Sequence, residues 1–308
     1  SYLDGLLYSN PLHYWDYIGV DTLLSLQRPM TDFPDEKIFI VYHQITELYF
    51  YLTLNELEQI AHNGKSISPD GQDLGWKEKL EVTYLIERLK RINRYFDALT
   101  LSFDVMRTGM EKEQFLKFRM ALLPASGFQA ASYRKIEICS TDIHNLVFEE
   151  HREELRNASL KEQLMNIYWR GGAVVEETGE KTLTLKLFEK KYMDEFLELA
   201  EAYEQKNLWK KYRSLSQQEQ ENPELIEQLK QYDVHVNINW PLVHYKTAVR
   251  YMAREDSDVP ATGGTNWQKY LPPRFQRRIF YPELWTEEEK ANWGKEWVDN
   301  ALRSDLRP

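Results

Sequence analysis

The stretch NWPLVHYKTAVRYM, residues 239–252, decides how the rest of the sequence is interpreted. Its pattern predicts a helix, because Pro241 suits a first turn, where its missing N–H costs nothing, and Asn239 is a suitable N-cap. A spacing of three to four residues then places His244 on an otherwise apolar face. The other members of that face are Trp240, Ala248, Tyr251 and Met252.

This histidine has two interpretations. The first is a core histidine that is satisfied by one hydrogen bond. The second is an axial ligand to a planar apolar cofactor such as haem, which needs one imidazole and an apolar wall. The helix by itself leaves both open, so other stretches of the sequence have to distinguish them.

Composition limits the class of protein. The chain has 308 residues, of which 42% are hydrophobic and 13% aromatic, with only 13 glycines and 12 prolines. That length allows one large domain or two small ones, and the scarcity of glycine and proline favours helix. The net charge of −10 argues against nucleic acid as the main partner.

Cysteine usage and hydropathy bear on location. Cys139 is the single cysteine, so no internal disulfide can form and a reducing compartment is expected. No apolar run is long enough to span a membrane, and no signal peptide is recognised. We therefore expect a cytoplasmic protein with no membrane segment.

Apolar periodicity predicts helices along most of the chain. Long helices are expected at 35–63 and 77–107, ending at Asn63–Gly64 and Thr108–Gly109, with a polar loop between them. Residues 182–187 alternate like a strand before a helical pattern that runs through residue 203. Shorter helices are expected at 111–123, 128–148 and 160–169, and after a capping box formed by Thr286 and Glu289.

The organisation that follows is all-α, with long packed helices in one domain over residues 1–308. Residues 1–35 carry aromatic side chains among proline and glycine breaks, which predicts an N-terminal arm with a short helix at 20–27. Residues 203–235 are rich in charge and predict a surface helical hairpin.

A second histidine lies on the apolar stripe of the first long helix. His43 shares that stripe with Phe39 and Phe50, so it too is surrounded by aromatic residues. Glu47 follows one turn later, which makes His43 and Glu47 a candidate metal pair. A carboxylate-bridged di-iron site needs Glu-x-x-His on two helices and two further glutamates, and the sequence lacks that pattern.

Arg119 lies in an apolar stretch between Phe115 and Leu122. It must either extend its charge to water or meet an anion, and the functional interpretation is a bidentate clamp on a substrate carboxylate. Glycines at Ser126–Gly127 and Thr262–Gly263–Gly264 allow the backbone to approach a ligand closely. The second glycine segment lacks the lysine and the spacing of a phosphate-binding loop.

Four segments match one known family, in order and across most of the chain. They are YWDYIGVDTLL at 14–24, FIVYHQITEL at 39–48, Phe115-x-x-x-Arg119 with PASGFQ at 124–129, and Trp240-x-x-x-His244-x-Lys246-x-x-x-Arg250 with Thr262–Gly263–Gly264. Together they resemble the tryptophan 2,3-dioxygenase family of haem enzymes, which open the indole ring. One such segment would be weak evidence, whereas four in register are strong.

The resemblance implies haem b (protohaem IX) as cofactor, with His244 as the axial ligand of the iron. It implies that L-tryptophan and O2 give N-formylkynurenine, the first step of the kynurenine pathway of tryptophan catabolism. His43 would lie on the distal side and meet the indole N–H. Ser126 and Gly127 would lie beside the oxygen site.

The resemblance also implies how the substrate is held. Arg119 would bind the carboxylate and Thr262 the ammonium group, while Phe39 and Phe115 would wall the indole. In the family the enzyme is a helical homotetramer in which the arm of one subunit completes a neighbour's pocket. Tyr14 and Tyr17 match that arm.

Departures from the family pattern keep alternatives open. The gap from His244 to Thr262 is longer than usual and contains the acidic loop 253–261, and Ala130–Ala131–Ser132 replaces the usual Ser-Leu-Gln. One alternative is a related haem-dependent monooxygenase acting on an indole or another aromatic amino acid. The other is a non-catalytic haem or tryptophan sensor, although a sensor has no need of an oxygen site.

Overall fold

The computed structural model describes residues 13–122, 125, 127–171, 173–174, 179–252 and 277–295. Regular structure within these ranges is almost entirely helical, which confirms the all-α prediction. None of the described helices is long and apolar enough to cross a membrane. In chain order the elements are α1 (Tyr14–Ile18), α2 (Val20–Leu24), α3 (Pro34–Ala61), β1 (Lys65–Ile67), β2 (Asp73–Trp76), α4 (Val82–Ser102), α5 (Asp104–Thr108), α6 (Lys112–Phe118), α7 (Ala131–Ser140), α8 (Leu160–Met165), α9 (Tyr168–Gly171), α10 (Leu183–Tyr203), α11 (Leu208–Arg213), α12 (Gln217–Gln220), α13 (Pro223–Val234), α14 (Trp240–Met252) and α15 (Glu287–Ala291).

The long helices α3 and α4 form the centre of the molecule. As predicted, α3 ends before Asn63 and Gly64, whose φ angles of 65° and 85° cannot continue a right-handed helix. Along α4, five side chains at spacings of three to four residues are fully buried, each contributing about 1.5–3 kcal/mol. They are Leu85, Leu89, Ile92, Phe96 and Leu99.

The helix of His244 does not begin at a cap. Instead α13 passes into α14 through a π-helical turn, His235–Asn239, in which the Trp240 N–H donates to the His235 carbonyl. The prediction that Asn239 caps this helix is therefore wrong. Pro241 lies inside a continuous helical run, and a widened turn directly before a proline relieves the crowding and missing hydrogen bond that its ring imposes.

Several element boundaries differ from the prediction. The expected polar loop at 63–76 is a hairpin, in which Lys65 lies opposite Trp76. The expected helix at 77–107 is two helices that meet at Phe103, and the one expected at 128–148 is shortened to α7 followed by a 3-10 turn, Ile143–Leu146.

The strand-like pattern at 182–187 is helical. Thr182 caps α10 by accepting a hydrogen bond from the Leu185 N–H. Leu185 and Phe188 are then buried on the same face of that helix. Packing of this face overrides the local alternation, because a pattern of this length is short enough to match either the strand period or the helix period.

Residues 203–235 are not a surface hairpin. Leu225, Leu229 and Tyr232 of α13 are fully buried, and α13 packs against α4. The Asn93 side chain of α4 donates to the Gln228 carbonyl at 3.1 Å. Apart from the buried Asp233, the charged residues lie towards the outer face, whereas the inner apolar residues pack beside α4.

The described part of the arm consists of α1 and α2, which meet at Gly19 and contain no buried residue. The predicted helix at 20–27 thus stops at Leu24. The buried Glu36 carboxylate accepts hydrogen bonds from the Met30 and Thr31 N–H groups at 2.7 and 2.8 Å. These bonds fix the end of the arm to the first turn of α3.

Candidate active site

Two histidines from distant parts of the sequence share one local arrangement. His43 lies on α3 and His244 on α14. Nδ1 of His43 is 2.7 Å from the Phe39 carbonyl, and Nδ1 of His244 is 2.8 Å from the Trp240 carbonyl. Since a carbonyl can only accept, both Nδ1 atoms carry the proton and both Nε2 atoms keep a lone pair.

His244 is neutral at physiological pH. Burial lowers its pKa to about 4, the hydrogen bond to the Trp240 carbonyl opposes this, and charge on His43 lowers it further. The ring packs against Phe103 and Trp240, with ring centroids 4.6 and 4.5 Å away. A neutral imidazole with an available Nε2 in apolar surroundings is the form that binds a metal.

We interpret the surroundings of His43 as an open cleft. Surrounding protein lowers its pKa by desolvation, yet the residue remains exposed to solvent. A ring that is surrounded by protein atoms and is still reached by solvent is expected in a cleft that is wide enough to admit a ligand. Phe103 packs on Tyr42, the residue next to His43, and on His244, at ring-centroid distances of 5.4 and 4.6 Å, so the two histidines lie in the same part of the structure.

Aromatic side chains line the cleft beside His43. Phe39 lies 4.2 Å from the His43 ring, and it contacts Phe115 at 6.4 Å and Phe118 at 5.8 Å between centroids. Phe115 in turn packs on Tyr251 at 4.7 Å. This aromatic wall runs from α3 across α6 to α14, and a flat apolar ring system fits beside it.

Arg119 directly follows α6 and is 4% exposed. Its side chain therefore does not snorkel, and that interpretation is wrong. Its neighbour Phe118 is fully buried in the aromatic wall. A guanidinium is retained at such a depth only where anions or hydrogen-bond acceptors meet it.

Two residues that the sequence analysis did not assign to the site hold α6 in place. Asp35, in the first turn of α3, accepts a hydrogen bond from the Glu111 N–H at 2.6 Å. Tyr251 places its hydroxyl on main-chain carbonyls just before α6. In the sequence Asp35 resembles an ordinary first-turn acid and Tyr251 an ordinary core residue, so neither carries a local signal.

Of the two residues predicted beside the oxygen site, the structure describes Gly127. Gly127 begins a 3-10 turn, and a Cβ on it would meet no described atom within 4 Å, so a ligand can approach its backbone. Ser126, Thr262 and the loop 253–261 lie outside the described residues.

Tyr14 and Tyr17 lie on the arm and are 72% and 74% exposed. Among the described residues, no ring contact joins either tyrosine to His43. A single chain therefore does not bring them into the aromatic wall.

The described residues gather no group of three or more His, Cys, Asp or Glu side chains that could hold a bare metal ion. The predicted pair His43 and Glu47 thus lacks a third ligand in this part of the chain. His244 supplies a single imidazole, which suits a metal that an organic cofactor already holds.

Comparison with known proteins gives an independent line of evidence. The family model described as tryptophan 2,3-dioxygenase matches residues 6–256. A protein of that name from Bradyrhizobium diazoefficiens is 27% identical over 293 residues, which cover 90% of this chain and 92% of the relative. One from Bacillus anthracis is 28% identical over 288 residues, with the same coverage, and one from Ruegeria pomeroyi is 35% identical over 150 residues, covering 48% and 49%.

Proposed function

Because this chain belongs to the tryptophan 2,3-dioxygenase family, we propose that it opens the indole ring of L-tryptophan with O2, giving N-formylkynurenine. This is the first step of the kynurenine pathway. The observation that carries the proposal is that two neutral imidazoles, His43 and His244, lie near an aromatic wall that ends at the buried Arg119.

The proposal includes haem b as the cofactor. The residues fit it, because His244 offers an unprotonated Nε2 and its neighbours Phe103 and Trp240 present apolar rings. His244 would hold the iron, and bound haem supplies the activation of dioxygen, so that no side chain has to change oxidation state.

The side chains of the cleft would bind and orient the amino acid. His43 carries its proton on Nδ1, so its Nε2 can accept a hydrogen bond from the indole N–H. Phe39 and Phe115 would cover the faces of the indole and exclude water. Arg119 would bind the carboxylate through two parallel hydrogen bonds.

The family motif assigns the remaining contacts. Thr262 would hold the ammonium group, while Ser126 and Gly127 would lie beside dioxygen. Clamping both ends of the amino acid keeps the indole in place until both oxygen atoms have been transferred. This second clamp is the part of the proposal that separates a dioxygenase from the monooxygenase alternative.

We also propose a cytoplasmic homotetramer in which the arm of one subunit completes a neighbour's pocket. The exposed rings of Tyr14 and Tyr17 support this, since they have no core to join in one chain. The outer face of α3 exposes further apolar side chains at helical spacing, among them Ile45 and Leu48 at 40% and 52%. Exposed apolar stripes of this kind mark surfaces that associate.

The decisive test is turnover of L-tryptophan by the haem-loaded enzyme under 18-oxygen gas, with the first product identified by mass spectrometry. Two labelled atoms in N-formylkynurenine are expected. One labelled atom in a hydroxylated indole would assign the protein to the monooxygenase alternative. Haem and tryptophan binding without any product would assign it to the sensor alternative.

A further inference from the structure

Tyr251 connects the helix of His244 to the element that carries the substrate-binding residues. It lies two turns beyond His244 on α14 and is 1% exposed. Burial raises the pKa of Tyr251, so the hydroxyl keeps its proton. That hydroxyl lies within hydrogen-bonding distance of three main-chain carbonyls, those of Met106 (2.9 Å), Arg107 (3.2 Å) and Met110 (3.1 Å).

The Met106 and Arg107 carbonyls need a donor from outside their own helix, and Met110 lies just beyond its end. The helix α5 ends at Thr108, and the last carbonyls of a helix have no intrahelical partner. Met106 and Met110 are 3% and 5% exposed, so water has little access to them. Tyr251 therefore acts as a cap that is supplied by another helix, and it fixes the segment 106–110.

The ring of Tyr251 acts on the same part of the structure as its hydroxyl. Its centroid lies 4.7 Å from that of Phe115. The segment 106–110 leads directly into α6, which carries Phe115 and ends beside Arg119. On the other side, Asp35 of α3 holds the Glu111 N–H at 2.6 Å. The helix α6 is thus held between the two helices that carry the histidines.

We propose that Tyr251 is a positioning residue for the substrate. It sets the place of Phe115 and Arg119 relative to His244, and it acts through α6 without taking part in the reaction. The inference rests on the proposed function for the identity of the substrate, L-tryptophan. Its geometric part concerns only how Tyr251 holds the segment 106–118, and that part can be measured without substrate.

The test is Tyr251→Phe in the full-length, haem-loaded enzyme. The variant keeps the ring and loses the hydrogen bonds, so KM for L-tryptophan should rise about five- to tenfold while kcat stays within about twofold. Haem content and the ferrous absorption spectrum should not change, because His244 is untouched. Hydrogen–deuterium exchange of residues 106–118 should become several-fold faster.

Tyr232→Phe is the matched control. Tyr232 is fully buried, lies in the same continuous helical run, and its hydroxyl is 2.7 Å from the Ser140 hydroxyl of α7. The control loses a comparable hydrogen bond that does not involve α6. It should be destabilised to a similar degree and should keep the wild-type KM and the wild-type exchange of residues 106–118.

The outcomes separate the two proposals. Unchanged KM and unchanged exchange in Tyr251→Phe would overturn the role of Tyr251, and so would an equal rise of KM in Tyr232→Phe. If the wild-type enzyme does not convert L-tryptophan, the proposed function fails. The exchange of residues 106–118 then decides alone: a selective increase in Tyr251→Phe supports the positioning role, and no increase overturns it.

Discussion

His244 shows how one residue acquires its chemistry from its immediate surroundings. The Trp240 carbonyl four residues earlier accepts a hydrogen bond from Nδ1–H, and this leaves Nε2 as the available atom. Burial keeps the ring neutral by lowering its pKa to about 4. His43 on α3 repeats the first feature, with the Phe39 carbonyl as acceptor, and desolvation lowers its pKa as well.

The lowered pKa of His244 predicts a pH dependence of folding. The unfolded chain takes up a proton near pH 6.5 and the folded chain only near pH 4. The contribution of His244 is thus fully present above pH 6.5 and is lost as the pH falls towards 4. Between pH 7.5 and 5.5 the haem-free protein should lose about 1.3 kcal/mol of unfolding free energy through this residue.

Urea denaturation of the wild type and of His244→Phe at both pH values checks this prediction. The variant should lose about 1.3 kcal/mol less than the wild type over the same interval. Other buried histidines contribute equally to both proteins and cancel in the difference. Equal losses in the two proteins would contradict the assignment.

The burial of Arg119 predicts a large effect on turnover. Removing one partner of a buried charge pair costs roughly 3–5 kcal/mol, and lysine cannot restore the planar fork. Both Arg119→Ala and Arg119→Lys should therefore lower kcat/KM by at least about 100-fold while haem content stays normal. Steady-state kinetics and the Soret absorbance measure the two effects.

Arg156→Ala is a suitable control for Arg119, because Arg156 is 57% exposed and pairs at 2.7 Å with Glu153, which is 81% exposed. Exposed ion pairs contribute little, so its kinetics should remain close to those of the wild type. Near-normal activity in Arg119→Ala would show that the guanidinium does not bind the substrate.

At the scale of elements, the run from α13 to α14 depends on a buried carboxylate. Asp233 accepts hydrogen bonds from the Phe280 and Tyr281 N–H groups at 2.9 and 3.2 Å, and from the Trp285 indole N–H at 3.0 Å. Asn237 of the π-helical turn donates to it at 2.7 Å. One side chain thus joins the C-terminal segment 277–295 to the helix that leads to His244.

Asp233→Asn should therefore loosen this segment. An amide offers one oxygen instead of two and adds donors where four donors already converge, so a loss of about 2–4 kcal/mol is expected at pH 7.5. Burial raises the pKa of Asp233 to about 6, so the carboxylate is ionised at that pH. Urea denaturation measures the loss, and trypsin cleavage after Arg277 or Arg278 should become faster.

Asp194→Asn makes the same chemical change at an exposed residue of α10, and it should alter stability by no more than about 0.5 kcal/mol. If Asp233→Asn is as stable as Asp194→Asn at pH 7.5, the carboxylate does not hold the C-terminal segment.

At the scale of the whole molecule, the described chain leaves two apolar surfaces exposed. One is the arm with Tyr14 and Tyr17, and the other is the outer face of α3, where Tyr51 is 70% exposed. Both are connected to the cleft, because α3 also carries His43 and because the buried Glu36 fixes the end of the arm to α3. Association of chains is therefore expected to affect substrate binding.

Deletion of residues 1–18 tests this expectation. The truncated chain should stay folded, because α1 contributes no buried residue. Its KM for L-tryptophan should rise about tenfold or more, and its assembly should become smaller than that of the wild type. Circular dichroism, light scattering after gel filtration and kinetics measure these properties.

The double variant Tyr14→Ser/Tyr17→Ser keeps the chain length and removes only the two rings. It should weaken substrate binding in the same direction if the rings complete a neighbour's pocket. A truncated chain with tetrameric mass and full activity would show that the arm is not part of the site.

The sequence by itself determined the helical fold and the family to which the chain belongs. A period of three to four apolar residues is a local property, so it predicts α3, α4 and α14 without knowledge of what covers them. The family motifs are likewise local, and they single out His43, Arg119 and His244 by residue type and spacing.

Only the tertiary structure decided what depends on distant neighbours. Burial of Arg119 follows from the packing of α6 between α3 and α14, and the same local sequence would also suit an arginine that reaches water. The charge-rich segment 203–235 is buried on one face because α4 offers a groove, which its own pattern cannot reveal. Asp35 and Tyr251 acquire their roles from carbonyl and N–H groups that lie about 76 and 141–145 residues away. Hydrogen bonds over such separations leave no periodicity in the sequence, so they become visible only once the chain is folded.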